Sequence, residues 1–187
     1  MPRRITSLGD AKVIGTLSWT PDGLSVVYSA RRQGRDGAWQ TNIASGVTTL
    51  LRQADTYSRW PQFSADGSSL FFVSNAEHVF RLWRQTGDRP ETGAPLFPEL
   101  VRSFRMSDDR RSLYFLRRGT QTALMHVDAS TNRAIPVYVF PKTSTEINAA
   151  STLNALRIKR RSPRSRALGR NMTPGIAVTM ELCGSEL

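Results

Sequence analysis

Residues 60–74 read WPQFSADGSSLFFVS, an apolar strand start, an Ala65-Asp66-Gly67 turn, and a return strand of large apolar side chains. The same design occurs upstream in residues 17–29, LSWTPDGLSVVYS, and downstream in residues 104–117, FRMSDDRRSLYFLR. Asp22 and Asp66 are 44 residues apart, and Asp66 and Asp109 are 43 apart. A supersecondary unit recurring at this period, with room for four short strands, is the signature of a repeat fold of propeller blades.

Each unit can be followed from its turn. In the first, Pro21 pre-sets the backbone angle, Asp22 can bond its own backbone, and Gly23 takes the positive φ that follows. Val26, Val27 and Tyr28 then suit a strand. A polar loop is expected over residues 31–37, followed by strands over 38–43 and 47–51. The second unit repeats this with Phe63, the Asp66-Gly67 turn, residues 70–73, and a third strand over 79–84. A connection rich in Gly and Pro, residues 86–98, stands where its fourth strand belongs. In the third unit strands are expected over 104–106, 113–116, 123–127 and 135–140. Arg110 replaces the turn glycine there, and a side chain at positive φ costs on the order of 1 kcal/mol, so a different turn type is expected.

Runs such as LFFV (70–73) and LYFL (113–116) lack polar alternation, as do strands packed on both faces. Trp19, Phe63 and Met106 fall at equivalent places and are expected between blades. The fold class that follows is all-β: a partial β-propeller of about three four-stranded antiparallel blades, with a poorly structured basic C-terminal tail. The units span residues 15–57, 58–100 and 101–141 within a propeller region 1–145. Residues 2–16 form a lead-in in which Ile5, Val13 and Ile14 can supply one strand. A weak helix is conceivable over 151–157 in the tail, residues 146–187. That tail has few large apolar residues to offset the entropy of ordering.

The turn-plus-strand copies WTPDGLSVVYS, FSADGSSLFFVS and MSDDRRSLYFLR resemble, in descending quality, the TolB-type, WD-like propeller repeat over residues 15–140. Leu82-Trp83 ahead of a Gly-rich turn is also similar to bacterial regulators that carry such propellers behind a winged-helix domain, although no helix-turn-helix segment is legible. Closed propellers have 4–8 blades. Three units would leave blade faces and strand edges open, so the resemblance implies a fragment, a truncated product, or a ring completed by another copy.

The chain of 187 residues carries a net charge of +11, and seven basic residues with no acidic one lie between Arg157 and Arg170. No aromatic residue is interleaved from Ser144 onward, so the stacking platform of single-strand binders is missing and nucleic acid is disfavoured as a partner. No apolar run reaches membrane-spanning length. No secretory signal follows Arg3-Arg4, which suggests the cytoplasm, or the periplasm if the natural N-terminus lies further upstream. Cys183 is the sole cysteine, so no internal disulfide is expected.

Signatures for nucleophilic catalysis or phosphate binding are absent from the sequence. His78 and His126 have no ligand partners at metal spacing. His78 reads as a loop residue and His126 as a strand-surface residue. Asp22, Asp66 and Asp109 recur at one turn position, as do Gly23 and Gly67 at the next, which argues for a structural role. No enzyme activity, cofactor or metal is expected. Propellers bind through loops at the ends of their strands, here residues 31–37, 75–78 and 117–121. Their basic side chains, Arg31, Arg32, Arg35, His78, Arg117 and Arg118, suit an acidic protein or peptide. Two further roles follow from the family resemblance: a propeller accessory of a prolyl-oligopeptidase-type serine peptidase, or the sensor half of a winged-helix regulator.

Overall fold

The computed structural model describes residues 12–13, 17–32, 34–54, 58–87, 93–101, 103–117, 121–140, 159–160 and 178–179. All described secondary structure is β, in three four-stranded antiparallel sheets with two short additions. The chain divides into two compact units, residues 1–100 and 101–187.

The first unit holds two sheets. One is built from β2 (Ser18–Trp19), β3 (Ser25–Arg32), β4 (Arg35–Asn42) and β5 (Thr48–Ala54), and β1 (Lys12–Val13) pairs with the far end of β3. The other runs β6 (Ser58–Phe63), β7 (Ser69–Ser74), β8 (Arg81–Thr86) and β9 (Ala94–Pro95). β9 is only two residues long, as a segment ending in proline at a sheet edge would be. β6 carries an irregularity between Arg59 and Gln62, where Trp60 takes φ +55 ahead of Pro61. The proline cannot donate to the ladder, and the offset absorbs that gap.

Packing between these two sheets follows from strand alternation. Val27 and Ala38 on one face of the first sheet meet Leu70, Phe72 and Trp83 of the second, with Leu51 and Phe63 at the margin. Ser18 Oγ donates to the Pro61 carbonyl at 2.7 Å and pins β2 against β6. The other face of the first sheet carries Trp19 opposite Val26, and Trp39 opposite Leu50.

The second unit contains β10 (Phe104–Met106), β11 (Ser112–Arg117), β12 (Ala123–Asp128) and β13 (Ala134–Val139), with Leu113, Tyr114, Phe115 and Leu124 buried. A two-residue ladder joins β14 (Lys159–Arg160) to β15 (Val178–Thr179). The remaining tail, including the expected helix over 151–157, lies outside the described residues, as do Ile5 and Ile14 of the lead-in.

Four expectations are corrected. The loop over 31–37 is a tight hairpin, because β3 and β4 stay paired out to Arg32 and Arg35, and Gly34 reverses the chain at φ +76. Its residues look loop-like because they extend past the packed layer, where charge pairing replaces apolar contact. The turn at Arg110 does not change type: Arg110 sits at φ +54, beside φ +70 at Gly23 and +73 at Gly67. His126 is buried rather than on the surface, since both faces of the third sheet are covered at that point. Trp19 occupies the ladder position of Phe63 and Met106, yet it is 52% exposed while Met106 is buried. Phe63 is packed by Val27 and Ala38 on the first sheet's other face, a cluster that Trp19 lies outside.

Candidate functional site

The three repeated turns share one hydrogen-bond set. In the first, the Thr20 hydroxyl donates to Asp22 at 2.6 Å and accepts from the Ser25 backbone N–H at 3.0 Å. Asp22 also accepts from the Leu24 N–H at 2.9 Å. Ser64, Asp66, Ser68 and Ser69 repeat these contacts, as do Ser107, Asp109, Arg111 and Ser112. The N–H of Gly23, Gly67 or Arg110 closes each turn on the carbonyl of Thr20, Ser64 or Ser107. The hydroxyl of Thr20 lowers the Asp22 pKa, and that of Ser64 brings Asp66 to about 2, with Ser68 helping. These carboxylates are thus engaged by their own turns, and among the described residues no group of three His, Cys, Asp or Glu side chains converges on a metal position.

A second repeated turn is hidden in the sequence. Asn42 Oδ1 accepts from the N–H groups of Ala44 and Ser45, and Asp128 Oδ1 from those of Ser130 and Thr131. Gly46 at φ +72 and Asn132 at φ +57 then bond back to the carbonyls of Asn42 and Asp128. Ser130 is the main cause of an Asp128 pKa near 2. The available signal is an Asn or Asp followed four positions later by Gly or Asn, the residues that tolerate the left-handed region.

The basic side chains expected to meet a partner fall at the connection between second and third strands of each sheet. Arg31 pairs with Asp36 at 2.7 Å, which raises its pKa, chiefly through that hydrogen bond. The Arg32 guanidinium lies 4.7 Å from the centroid of the Trp39 ring. Arg35 occupies the first position of β4. In the second sheet, His78 is exposed at φ +63 in a turn closed on the Asn75 carbonyl, and Arg81 pairs with Glu77. Arg117 ends β11 in the other unit, and Arg118 lies outside the described residues. In the first unit, then, the structure places Arg31, Arg32 and His78 at the strand ends opposite the Asp-Gly turns. The charge of Arg31 is already matched by Asp36.

One polar group, Arg52, escaped the sequence reading, and another, His126, was misplaced by it. Arg52 is buried between the sheets of the first unit, with its guanidinium 4.6 Å from the Phe72 ring and 5.9 Å from that of Trp83. Desolvation lowers its pKa. A Cβ at Gly93 would come within 2.8 Å of Arg52 Nη1 and 3.2 Å of Phe72 Cζ, so a glycine suits the close approach there. The signal was an arginine following Leu50-Leu51 in a strand, a polar group that needs a planar partner when covered. His126 Nε2 lies 3.0 Å from Ser112 Oγ, with its ring tilted against Tyr114. A serine beside a histidine is the geometry of nucleophile activation. Ser112 is fully buried and its backbone is committed to the turn, so a substrate has no approach to it.

Sheets of this kind, repeated on one turn design, define a β-propeller architecture. No protein-family model matches the chain. An uncharacterised protein of Agrobacterium fabrum is 32% identical over 66 residues, covering 35% of this chain and 22% of that protein. Among solved structures, a TolB-type protein of Agrobacterium tumefaciens superposes with a TM-score of 0.54 at 19% identity, over 63% of this chain and 46% of its own. An oligogalacturonate lyase gives 0.64 at 13% identity, over 76% and 46%. A study of two prolyl endopeptidases supplies a match of 0.54 at 12% identity, over 70% and 22%. The fold is that of a TolB-like β-propeller, and the chain spans less than half the length of each of these proteins. These likenesses lend no support to a winged-helix association. No helix among the described residues is long and apolar enough to cross a membrane.

Proposed function

We propose that this propeller segment is a non-catalytic scaffold that binds an acidic protein or peptide at the connections between its second and third strands. The observation that carries the reading is the placement of Arg31, Arg32 and His78 at one set of strand ends in the first unit. Arg32 stacked on Trp39 offers a cation and a flat apolar surface together, a combination enriched where proteins meet. A poly-glutamate peptide titrated into the full chain tests it by calorimetry. Binding that weakens with salt, and that falls at least about tenfold in the Arg32→Ala, His78→Ala double variant, is expected for contacts of this type. Folded protein that takes up no peptide at low salt overturns the reading.

The likeness to prolyl endopeptidases favours one second reading, a propeller accessory to a hydrolase. The one serine that a histidine is described as contacting, Ser112 beside His126, is fully buried, so such a role needs a catalytic domain from elsewhere. A nucleophile-elbow domain encoded in the same gene would promote this reading over the scaffold.

A further inference from the structure

Between the two sheets of the first unit the apolar layer stops short of the strand ends, and a polar layer follows it. On the first sheet Ser29 lies two residues beyond Val27 on the same face, toward the hairpin that joins β3 to β4. On the second, Ser74 lies two residues beyond Phe72 and pairs with both Ser58 and Arg81, so these three share the face that meets the first sheet. β3 packs against β6, with Ser29 and Ser58 both toward the strand ends opposite the Asp-Gly turns. Ser29 Oγ, Ser58 Oγ, Arg81 Nε and Trp83 Nε1 are buried, and none of the four has a hydrogen-bond partner among the described residues. The repeat places an apolar side chain where Ser29 stands: Ser29 follows Asp22 by seven residues, as Val73 follows Asp66 and Leu116 follows Asp109. Val73 and Leu116 are buried, and Ser29 is only 1% exposed. A buried hydroxyl left unmet destabilises a fold. Its presence where the other copies carry Val and Leu points to a group from outside that meets it.

We propose that this layer receives the carboxylate of a glutamate side chain from the acidic partner, an inference that rests on the scaffold reading above. Each of the four unmet groups can donate a hydrogen bond. Two hydroxyls, a guanidinium N–H and an indole N–H together suit an anion whose oxygens only accept. The rim above them is cationic: Arg31, two residues beyond Ser29 on the same face, has a side chain 58% exposed, and that of Arg81 is 24% exposed. Ser29 lies about 7 Å along the strand from Arg31, two residues at strand rise. The next side chain toward solvent on that face is thus a solvated arginine, and exposed side chains change rotamer freely. Ser112, in contrast, is sealed by the closed Asp109 turn. Glutamate, one methylene longer than aspartate, is the acidic side chain that reaches further past the rim.

The test titrates poly-L-glutamate and poly-L-aspartate of equal length into the full chain by calorimetry at one low salt concentration. Poly-glutamate is expected to bind at least about tenfold more tightly, the worth of one charge-assisted bond to a buried donor. Ser29→Val, which installs the side chain that the second copy carries, and Ser58→Ala are each expected to remove that preference and to leave aspartate binding unchanged. Circular dichroism checks that both variants are folded. Ser58→Ala should also raise the denaturation midpoint, because an unmet hydroxyl is lost. A midpoint that falls instead means the hydroxyl is already met within the fold, and overturns the inference. Equal binding of the two polymers overturns it as well, and so does a preference that survives both substitutions. In those cases the scaffold reading still stands on the dependence of binding on Arg32 and His78. If neither polymer binds, the scaffold reading falls and this inference falls with it.

Discussion

Phe63 and Trp19 hold the same ladder position in neighbouring sheets and have opposite surroundings. Phe63 packs at the margin of a core of Val27, Leu70, Phe72 and Trp83, while Trp19 stands half in solvent. The local sequence is closely similar, so the difference lies in what covers each sheet. A blade face is a request for a neighbour, and in this chain the second sheet's request is met by the first. The sharpest way to break this contrast is at Phe72, which is fully buried between the two sheets. Phe72→Ala is expected to cost about 3–5 kcal/mol of stability through lost transfer and a residual cavity. Trp19→Ala, measured on dilute protein by denaturant unfolding, should change stability by no more than about 0.5 kcal/mol. Equal losses at the two sites would mean that the first sheet's outer face is covered in solution by other parts of the chain.

Arg52 sharpens the contrast from the polar side. Its stem and guanidinium fill the space between sheets against Phe72 and Trp83, whereas on the first sheet's other face Arg32 stacks on Trp39 at a strand end. Arg52→Ala should cost about 2 kcal/mol, combining lost stacking with lost packing of the stem. Arg52→Lys should recover only part of it, because an ammonium lacks the planar surface that lies on the ring. Chemical unfolding of the two variants side by side measures the ordering. Full recovery by lysine would show that charge, and not stacking, holds the position.

How much of this was legible in the residues depends on the range of the forces involved. The Asp-Gly turns at 22–23 and 66–67, and the return strands after them, are local chemistry, and the three-sheet architecture could be read from their spacing. The short β9 follows equally from Pro95. The hairpin at residues 31–37 was misread because its strands outrun the core, so no apolar alternation marks them. Burial of His126 depends on a serine fourteen positions away and on what covers the sheet, which no window around residue 126 contains. Three units already implied that some blade face stays uncovered, but the exposure of Trp19 in particular was illegible, because its local sequence matches that of the covered Phe63. The arginine-bearing strand ends could be named residue by residue, whereas the pairing of Arg31 with Asp36 required the register.

The third copy of the turn provides a milder contrast with the first two. Arg110 adopts the left-handed conformation that Gly23 and Gly67 adopt without a side chain. The surrounding bonds from Ser107 and Asp109 are kept, so the hydrogen-bond set dictates the conformation and the arginine bears the strain. Arg110→Gly is therefore expected to stabilise the chain by about 0.5–1 kcal/mol, the relief being partly offset by the freer unfolded glycine. A shift of the denaturation midpoint upward with an unchanged slope would show it. A shift downward would mean that the arginine side chain makes contacts worth more than the strain.

The finest contrast again separates the first sheet from the second. Asp22 is followed two residues later by Leu24, which offers only its N–H, whereas Asp66 is followed by Ser68, whose hydroxyl adds a bond at 2.8 Å. The folded-state pKa of Asp66 is about 2, below the unfolded value of about 3.9. A depressed carboxylate contributes stability that is present above its unfolded pKa and disappears as pH falls through its folded one. The Asp66 contribution is therefore complete above about pH 4 and lost on the way down to about pH 2. Asp66→Asn should flatten the acid limb of a pH–stability curve in that window, and more so than Asp22→Asn does. Because both carboxylates are exposed to solvent, the effect is small and is read from the difference between the two variants. If Asp22→Asn flattens the limb as much, the hydroxyl of Ser68 is not what distinguishes the two turns, and the shared bonds from Thr20 and Ser64 set the acid response alone.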